Sequence, residues 1–182
     1  MSVIIAVKEQ DTIYFGFDTQ TTTGRIKNNY LNETMFKVIK LDNKILFGFC
    51  GKVSLKQRIL TKLSELNIER NKQLTKKYIV NNIIPILTNE LDDDEKIELS
   101  IIIAYKDKMY SIFNTLTVIK RNEYVVSGSG AFHTFYPLLS NQNLNVRTRL
   151  LKALNESAYR VDSVSSPFVF IDTKDLKYEI VE

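Results

Sequence analysis

Hydrophobic and polar positions along this chain keep a period of two in some blocks and a longer period in others. Val3 to Val7 alternates weakly and is rich in β-branched side chains. Thr12 to Asp18 (TIYFGFD) repeats that pattern, so both are predicted strands, joined through a turn at Glu9 to Asp11. Thr19 to Gly24 (TQTTTG) reads as a polar loop. Phe36 to Leu41 (FKVIKL) alternates cleanly, Asp42 and Asn43 supply a turn, and Lys44 to Phe49 (KILFGF) returns as a buried strand.

The period then lengthens. Leu55, Ile59, Leu60, Leu63 and Leu66 fall on one helical face. A second helix is predicted from about Leu74 to Leu91, with Pro85 expected to kink or interrupt it. Asp92 to Glu95 reads as a solvated loop. Strands resume at Glu98 to Tyr105, Met109 to Phe113, Leu116 to Lys120 and Tyr124 to Ser127. A helical stretch follows Gly130. Asn145 is placed to cap another helix, which carries Val146, Leu150, Leu151, Leu154 and Ala158 on one face. Phe168 to Ile171 and Lys177 to Val181 close the chain as strands. This order excludes a βαβ alternation. It implies two antiparallel sheets with helix pairs packed outside them, an α+β arrangement. No linker or repeat divides the chain, so residues 1–182 are expected to form a single domain.

Composition narrows the function classes. Hydrophobic residues at 44% and charged residues at 25% are enough for a sizeable core. The longest apolar runs, such as Ile101 to Ala104, are far too short to span a membrane, and the N-terminus lacks the pattern of a signal peptide. A cytoplasmic protein is expected. One cysteine forbids an internal disulfide, and with one histidine it argues against a structural zinc site. His133 beside Phe132 and Phe135 reads as a packed or surface residue. The net charge of +4 is scattered rather than gathered in a stripe, which argues against nucleic-acid binding. Gly128, Ser129 and Gly130 make too short a run to cradle a phosphate.

The candidate chemistry starts at the second residue. Serine is small enough for Met1 to be removed before it, which would leave Ser2 with a hydroxyl and a free α-amine. Ser2 lies sixteen residues before Asp18, and Asp18, Thr22 and Gly24 make a D-x-x-x-T-x-G pattern. FKVIKLDNKILFGFCG follows, then VVSGSGA, then SAYRVDSVSS with a D-x-x-S at Asp162 and Ser165. In this order and at these separations the motifs resemble the proteasome-type N-terminal nucleophile hydrolases, which include proteasome β-subunits and the bacterial protease HslV.

The resemblance implies a four-layer αββα sandwich. It implies Ser2 as nucleophile, Lys37 as the catalytic lysine held by Asp18, and Gly48 as the oxyanion glycine. Ser129, Asp162 and Ser165 would make a polar net around the amine. Gln20, Thr22, Leu46 and Cys50 would line the substrate cleft, with Thr22 binding the peptide as an added strand. The sequence departs from the family in three places. Serine stands where threonine is usual, Ser166 and Pro167 follow the D-x-x-S where glycine is common, and the stretch between Gly24 and Lys37 does not align. Lys40 therefore competes with Lys37, and in an alternating strand the two would face opposite ways.

A serine hydroxyl needs a base to take its proton. A free α-amine, with an ordinary pKa of about 7.7–8.0, is partly neutral near pH 7 and can serve its own residue. With Met1 attached, that nitrogen is an amide and cannot. Attack on an amide would give an ester on Ser2 and then hydrolysis, with no metal or organic cofactor. The resemblance implies a peptide or unfolded-protein substrate, a homo-oligomeric ring with contacts from the helices after Gly51, and an ATPase unfoldase as partner. The alternative is a catalytically silent assembly or scaffold protein on the same fold. An amidase for a small molecule is disfavoured by Thr22.

Overall fold

The computed structural model describes residues 2–23, 26–41, 44–66, 74–97 and 99–182. Strands β1 (Ile4–Glu9) and β2 (Thr12–Asp18) form the hairpin that their alternation predicts, with Ile4 opposite Phe17 and Glu9 opposite Thr12. A second hairpin, β3 (Gln20–Thr23) and β4 (Ile26–Asn29), stands apart as a two-stranded sheet. Then come β5 (Val38–Leu41), β6 (Ile45–Cys50), helix α1 (Val53–Glu65), α2 (Lys76–Tyr78), α3 (Ile84–Glu90) and α4 (Asp93–Ile97). Strands β7 (Ser100–Tyr105), β8 (Lys108–Ile112), β9 (Val118–Arg121) and β10 (Tyr124–Ser127) follow. Helices α5 (Ala131–Ser140) and α6 (Val146–Arg160) and strands β11 (Phe168–Asp172) and β12 (Glu179–Val181) complete the chain.

The strands make two five-stranded antiparallel sheets, ordered β10-β1-β2-β11-β12 and β5-β6-β7-β8-β9. Strand β6 shows why they stack. Its residues alternate between two apolar clusters: Ile45, Phe47 and Phe49 pack with Leu55, Ile59 and Leu63 of α1, whereas Leu46 and Cys50 pack with Ile4, Phe15 and Phe17 of the other sheet. A third cluster joins Val3, Ile5, Phe168 and Phe170 to Leu150, Ala153 and Leu154 of α6. Three apolar interfaces thus separate four layers, an αββα sandwich. Burying each large side chain such as Phe15 or Phe47 contributes roughly 1.5–3 kcal/mol. Among the described residues, no helix is long and apolar enough to cross a membrane.

Several elements differ from the sequence expectation. The polar stretch after Asp18 is strand β3 rather than a loop, because Thr21, Thr22 and Thr23 are β-branched and pair with Asn28, Lys27 and Ile26. Gly24 and the expected turn at Asp42 and Asn43 lie outside the described residues. The acidic run is part of α4 rather than a loop. The Asp92 carboxylate accepts from the Glu95 N–H at 2.7 Å, and Glu95 reaches back toward the Asp92 N–H, a reciprocal cap. The helix containing Pro85 stays continuous by widening. Residues Ile79–Ile83 form a π-helical turn just ahead of the proline, whose ring removes an N–H and crowds the carbonyl four residues back. Leu116 takes a φ of 56°, so the strand expected there starts only at Val118.

Candidate active site

The site grows from the end of β2. Asp18 is fully buried. Its Oδ1 accepts from the Val3 N–H at 2.8 Å, and its Oδ2 accepts from the Gln20 N–H at 3.2 Å and from Lys37 Nζ at 3.1 Å. Lys37 Nζ also donates to the carbonyls of Asp18 at 2.9 Å and Gln20 at 2.6 Å. An ammonium has three N–H donors, so Lys37 is saturated. Burial pushes the Asp18 carboxyl above its ordinary value, while the Lys37 charge and the N–H groups of Val3 and Gln20 pull it the other way.

Lys37 sits in the bend ahead of β5, so the strict alternation of the strand does not govern its direction. Its carbonyl accepts from the Phe49 N–H at 2.8 Å, which ties it to β6. Lys40, the competing lysine, lies elsewhere: it faces Glu33 at 3.5 Å and the Tyr178 ring at 4.7 Å.

Ser2 lies against the start of α5. Its nitrogen donates to Ser129 Oγ at 3.2 Å, and its carbonyl accepts from the Gly130 N–H at 3.2 Å. Gly128 has a φ of 94°, and a Cβ there would overlap the Ser2 carbonyl. Glycine at 128 is what lets the chain approach Ser2 so closely. Ser129 Oγ also meets Ser163 Oγ at 3.1 Å, so Ser163 joins the polar net that the sequence reading gave to Asp162 and Ser165. Those two expectations are corrected. Asp162 is exposed and contributes its carbonyl to Gln20 Nε2, and Ser165 Oγ donates to Asn29 Oδ1 on β4. The short loop between α6 and β11 turns inward at Ser163 instead.

A cavity of about 780 Å³ opens over this cluster. Ser2, Lys37 and Ser129 border it, as do Gln20, Thr22 and Cys50. Leu46 does not. It lies four residues deeper on β6, fully buried between the sheets, so its expected place in the cleft is corrected. Gly48 is corrected for a related reason. It sits mid-ladder, opposite Val38 and Ile102. Since the Phe49 N–H points to Lys37, alternation turns the Gly48 N–H toward β7. The glycines that do border the cavity are Gly51 and Gly128. Gly51 follows the last residue of β6 at a φ of 152°, and a Cβ there would press on the Phe49 ring at 2.9 Å. Burial pushes the Cys50 thiol up to about 11, which keeps it protonated and unreactive near neutral pH.

Thr22 carries a buried Oγ1 with no hydrogen-bond partner among the described residues. Among the described residues its strand, β3, is paired on one edge only, by β4. Lys56 on α1 belongs to none of the sequence motifs. It is 6% exposed and borders the cavity, and its Nζ donates to the carbonyls of Phe36 and Thr34. Burial, then the nearby Lys37 charge, lowers its pKa to about 8. Lys56 is adjacent to the apolar stripe of α1, and nothing in its own spacing marks it. Among the described residues, no three His, Cys, Asp or Glu side chains gather closely enough to hold a metal ion.

No family model and no curated protein matches this sequence. Solved structures do match the fold. The chain is similar to a structure of eukaryotic HslV from Trypanosoma brucei, with a TM-score of 0.73 and 16% identity, over 93% of this chain and 98% of that one. It is also similar to Thiobacillus denitrificans BPH in complex with epoxomicin, with a TM-score of 0.75 and 16% identity, over 96% of this chain and 99% of that one. A second structure of Thiobacillus denitrificans BPH gives a TM-score of 0.74 at 15% identity, over 96% and 98% of the two chains. The fold is therefore the proteasome-like, HslV-like αββα sandwich.

Proposed function

We propose that this chain is an N-terminal nucleophile peptidase in which Ser2, exposed by removal of Met1, supplies both attacking group and base. One observation carries the reading: the Asp18 carboxylate takes the Val3 N–H with one oxygen and the Lys37 ammonium with the other, and Ser2 and Lys37 border one cavity. In the proposed reaction the Ser2 amine takes the hydroxyl proton, directly or through a water. Oγ then attacks the peptide carbonyl. The proton passes to the leaving amine as the C–N bond breaks, and water hydrolyses the ester left on Ser2. The Lys37 charge, acting through space because its three donors are already used, stabilises the developing alkoxide. The Gly51 N–H, at the free end of β6, replaces Gly48 as the proposed oxyanion donor. The substrate lies along the open edge of β3. A homo-oligomeric ring fed by an ATPase unfoldase belongs to the same proposal, and native mass spectrometry tests the ring.

The decisive experiment is peptide hydrolysis by protein that intact mass shows to lack Met1. Ser2→Ala and Lys37→Ala are each expected to lose at least ~10³-fold in turnover. Undiminished turnover in either variant rejects the assignment of that residue. If intact mass finds Met1 retained, the Ser2 nitrogen is an amide and the silent scaffold becomes the better reading.

A further inference from the structure

The charge around the cavity is one-sided. Its ionisable lysines are Lys37, Lys52 and Lys56, and no Asp or Glu borders it among the described residues. Asp18 neutralises Lys37 from behind. Lys52 is exposed at the start of α1, but Lys56 is buried, and among the described residues its Nζ meets only the carbonyls of Thr34 and Phe36. Two of its three N–H donors are thus used on neutral acceptors. Among the described residues no carboxylate meets Lys56, and a buried ammonium without one is an unfavourable arrangement that an incoming anion relieves. Met35, Phe49 and Val53 border the same space. Their apolar surface lowers the local dielectric and strengthens any ion pair formed there.

Resting on the peptidase reading above, we infer that Lys56, with Lys52 outside it, makes this cavity select a peptide bearing a carboxylate side chain next to the cleaved bond. Lys56 acts as a specificity-determining residue: its third N–H takes the substrate carboxylate while the Thr34 and Phe36 carbonyls hold the ammonium in place. Lys56 Nζ donates to the carbonyl of Phe36, the residue just before Lys37, and both lysines border the one cavity, which sets this recognition on the Lys37 side of the site.

The test is a binding measurement that needs no turnover. The backbone amide signals of Gly51 and Gly128 are followed by NMR while acetyl-Ala-Ala-Glu-amide, acetyl-Ala-Ala-Gln-amide and the free acid acetyl-Ala-Ala-Gln are titrated into the whole protein. The glutamate amide is expected to bind at least ~10-fold tighter than the glutamine amide, as a charge-assisted hydrogen bond gives. Lys56→Met is expected to bring that ratio to about one. Equal binding of the glutamate and glutamine amides to the unaltered protein overturns the inference whether or not the variant folds, and so does the absence of any glutamate-dependent shift. A free-acid glutamine peptide that matches the glutamate amide overturns it too, by assigning the charge to a chain terminus. Selective glutamate binding by a protein that cuts nothing would reject the peptidase and leave the selectivity standing. Cleavage indifferent to the neighbouring side chain would do the reverse.

Discussion

Lys37 and Lys56 border one cavity, and both are buried, yet their surroundings are opposite in kind. Lys37, ahead of β5, has a carboxylate and two carbonyls for its three donors. Among the described residues Lys56, on α1, has carbonyls alone. A saturated cation is fixed in direction and has no donor left for a ligand. A cation short of a counter-charge holds part of its interaction in reserve. Placement on a cavity wall does not distinguish the two; counting donors against acceptors does. On the proposed reading, the Asp18 side of the cavity positions groups, whereas the Lys56 side recognises them.

The largest effect is expected where the saturated pair is broken. Asp18→Ala leaves Lys37 buried without its counter-ion and frees the Val3 and Gln20 N–H groups, a loss of about 3–5 kcal/mol in urea unfolding. Adding Lys37→Met to it is expected to recover a substantial part, because the orphaned charge then disappears. Lys56→Met alone is expected to show no comparable loss. An Asp18→Ala protein within about 1 kcal/mol of the original stability would erase the distinction between the two lysines.

A smaller effect sharpens the same contrast through pH. The folded-state pKa of Lys56 is lowered from 10.5 to about 8 by burial and by Lys37. Below pH 8 both folded and unfolded states hold the proton, so the penalty is fully present. Between about pH 8 and 10.5 the unfolded chain binds the proton and the folded protein does not, so stability rises with pH. The slope reaches at most about 1.4 kcal/mol per pH unit, or on the order of 3 kcal/mol over the interval. The difference between unfolding curves of the original protein and Lys56→Met is expected to carry this rise. A flat difference would mean that Lys56 is solvated as well as any surface lysine.

The layers were legible because their periodicity is strong. Strands β1, β2, β5, β6 and β7 and the apolar faces of α1 and α6 follow from alternation and helical spacing. The motif order also led to residues that the fold does gather: Ser2, Asp18, Lys37 and Ser129. Other features were set by geometry that spacing does not encode. Gly48 and Gly51 lie in one motif, and only the ladder shows which of them leaves the sheet. Asp162, Ser163 and Ser165 share a loop, and which of them turns inward depends on how the chain passes from α6 to β11. Lys56 is buried because the turn at Glu33–Met35 and the following Phe36 place carbonyls on it from another part of the chain. Strand β3 and helix α4 did leave signals, a β-branched threonine run and a D-x-x-E cap, that polar composition masked.

The smallest predicted effect asks whether the reserve extends beyond charge. Thr22 Oγ1 is buried with no partner among the described residues, on a strand whose second edge is open. Thr22→Val removes the hydroxyl at nearly constant volume and keeps a β-branched side chain suited to β3. At a site where the hydroxyl is satisfied, that exchange costs stability, because a hydrogen bond is lost. Here it is expected to raise the unfolding free energy by about 1 kcal/mol, since the desolvation cost of an unpaired group disappears. Peptide affinity is expected to move the other way, falling by roughly 5-fold if the hydroxyl is completed by substrate. Urea unfolding and a peptide titration on the same preparation read both signs. A variant that loses stability would mean that Thr22 is already satisfied in the unliganded protein, and the recognition side of the comparison would then rest on Lys56 alone.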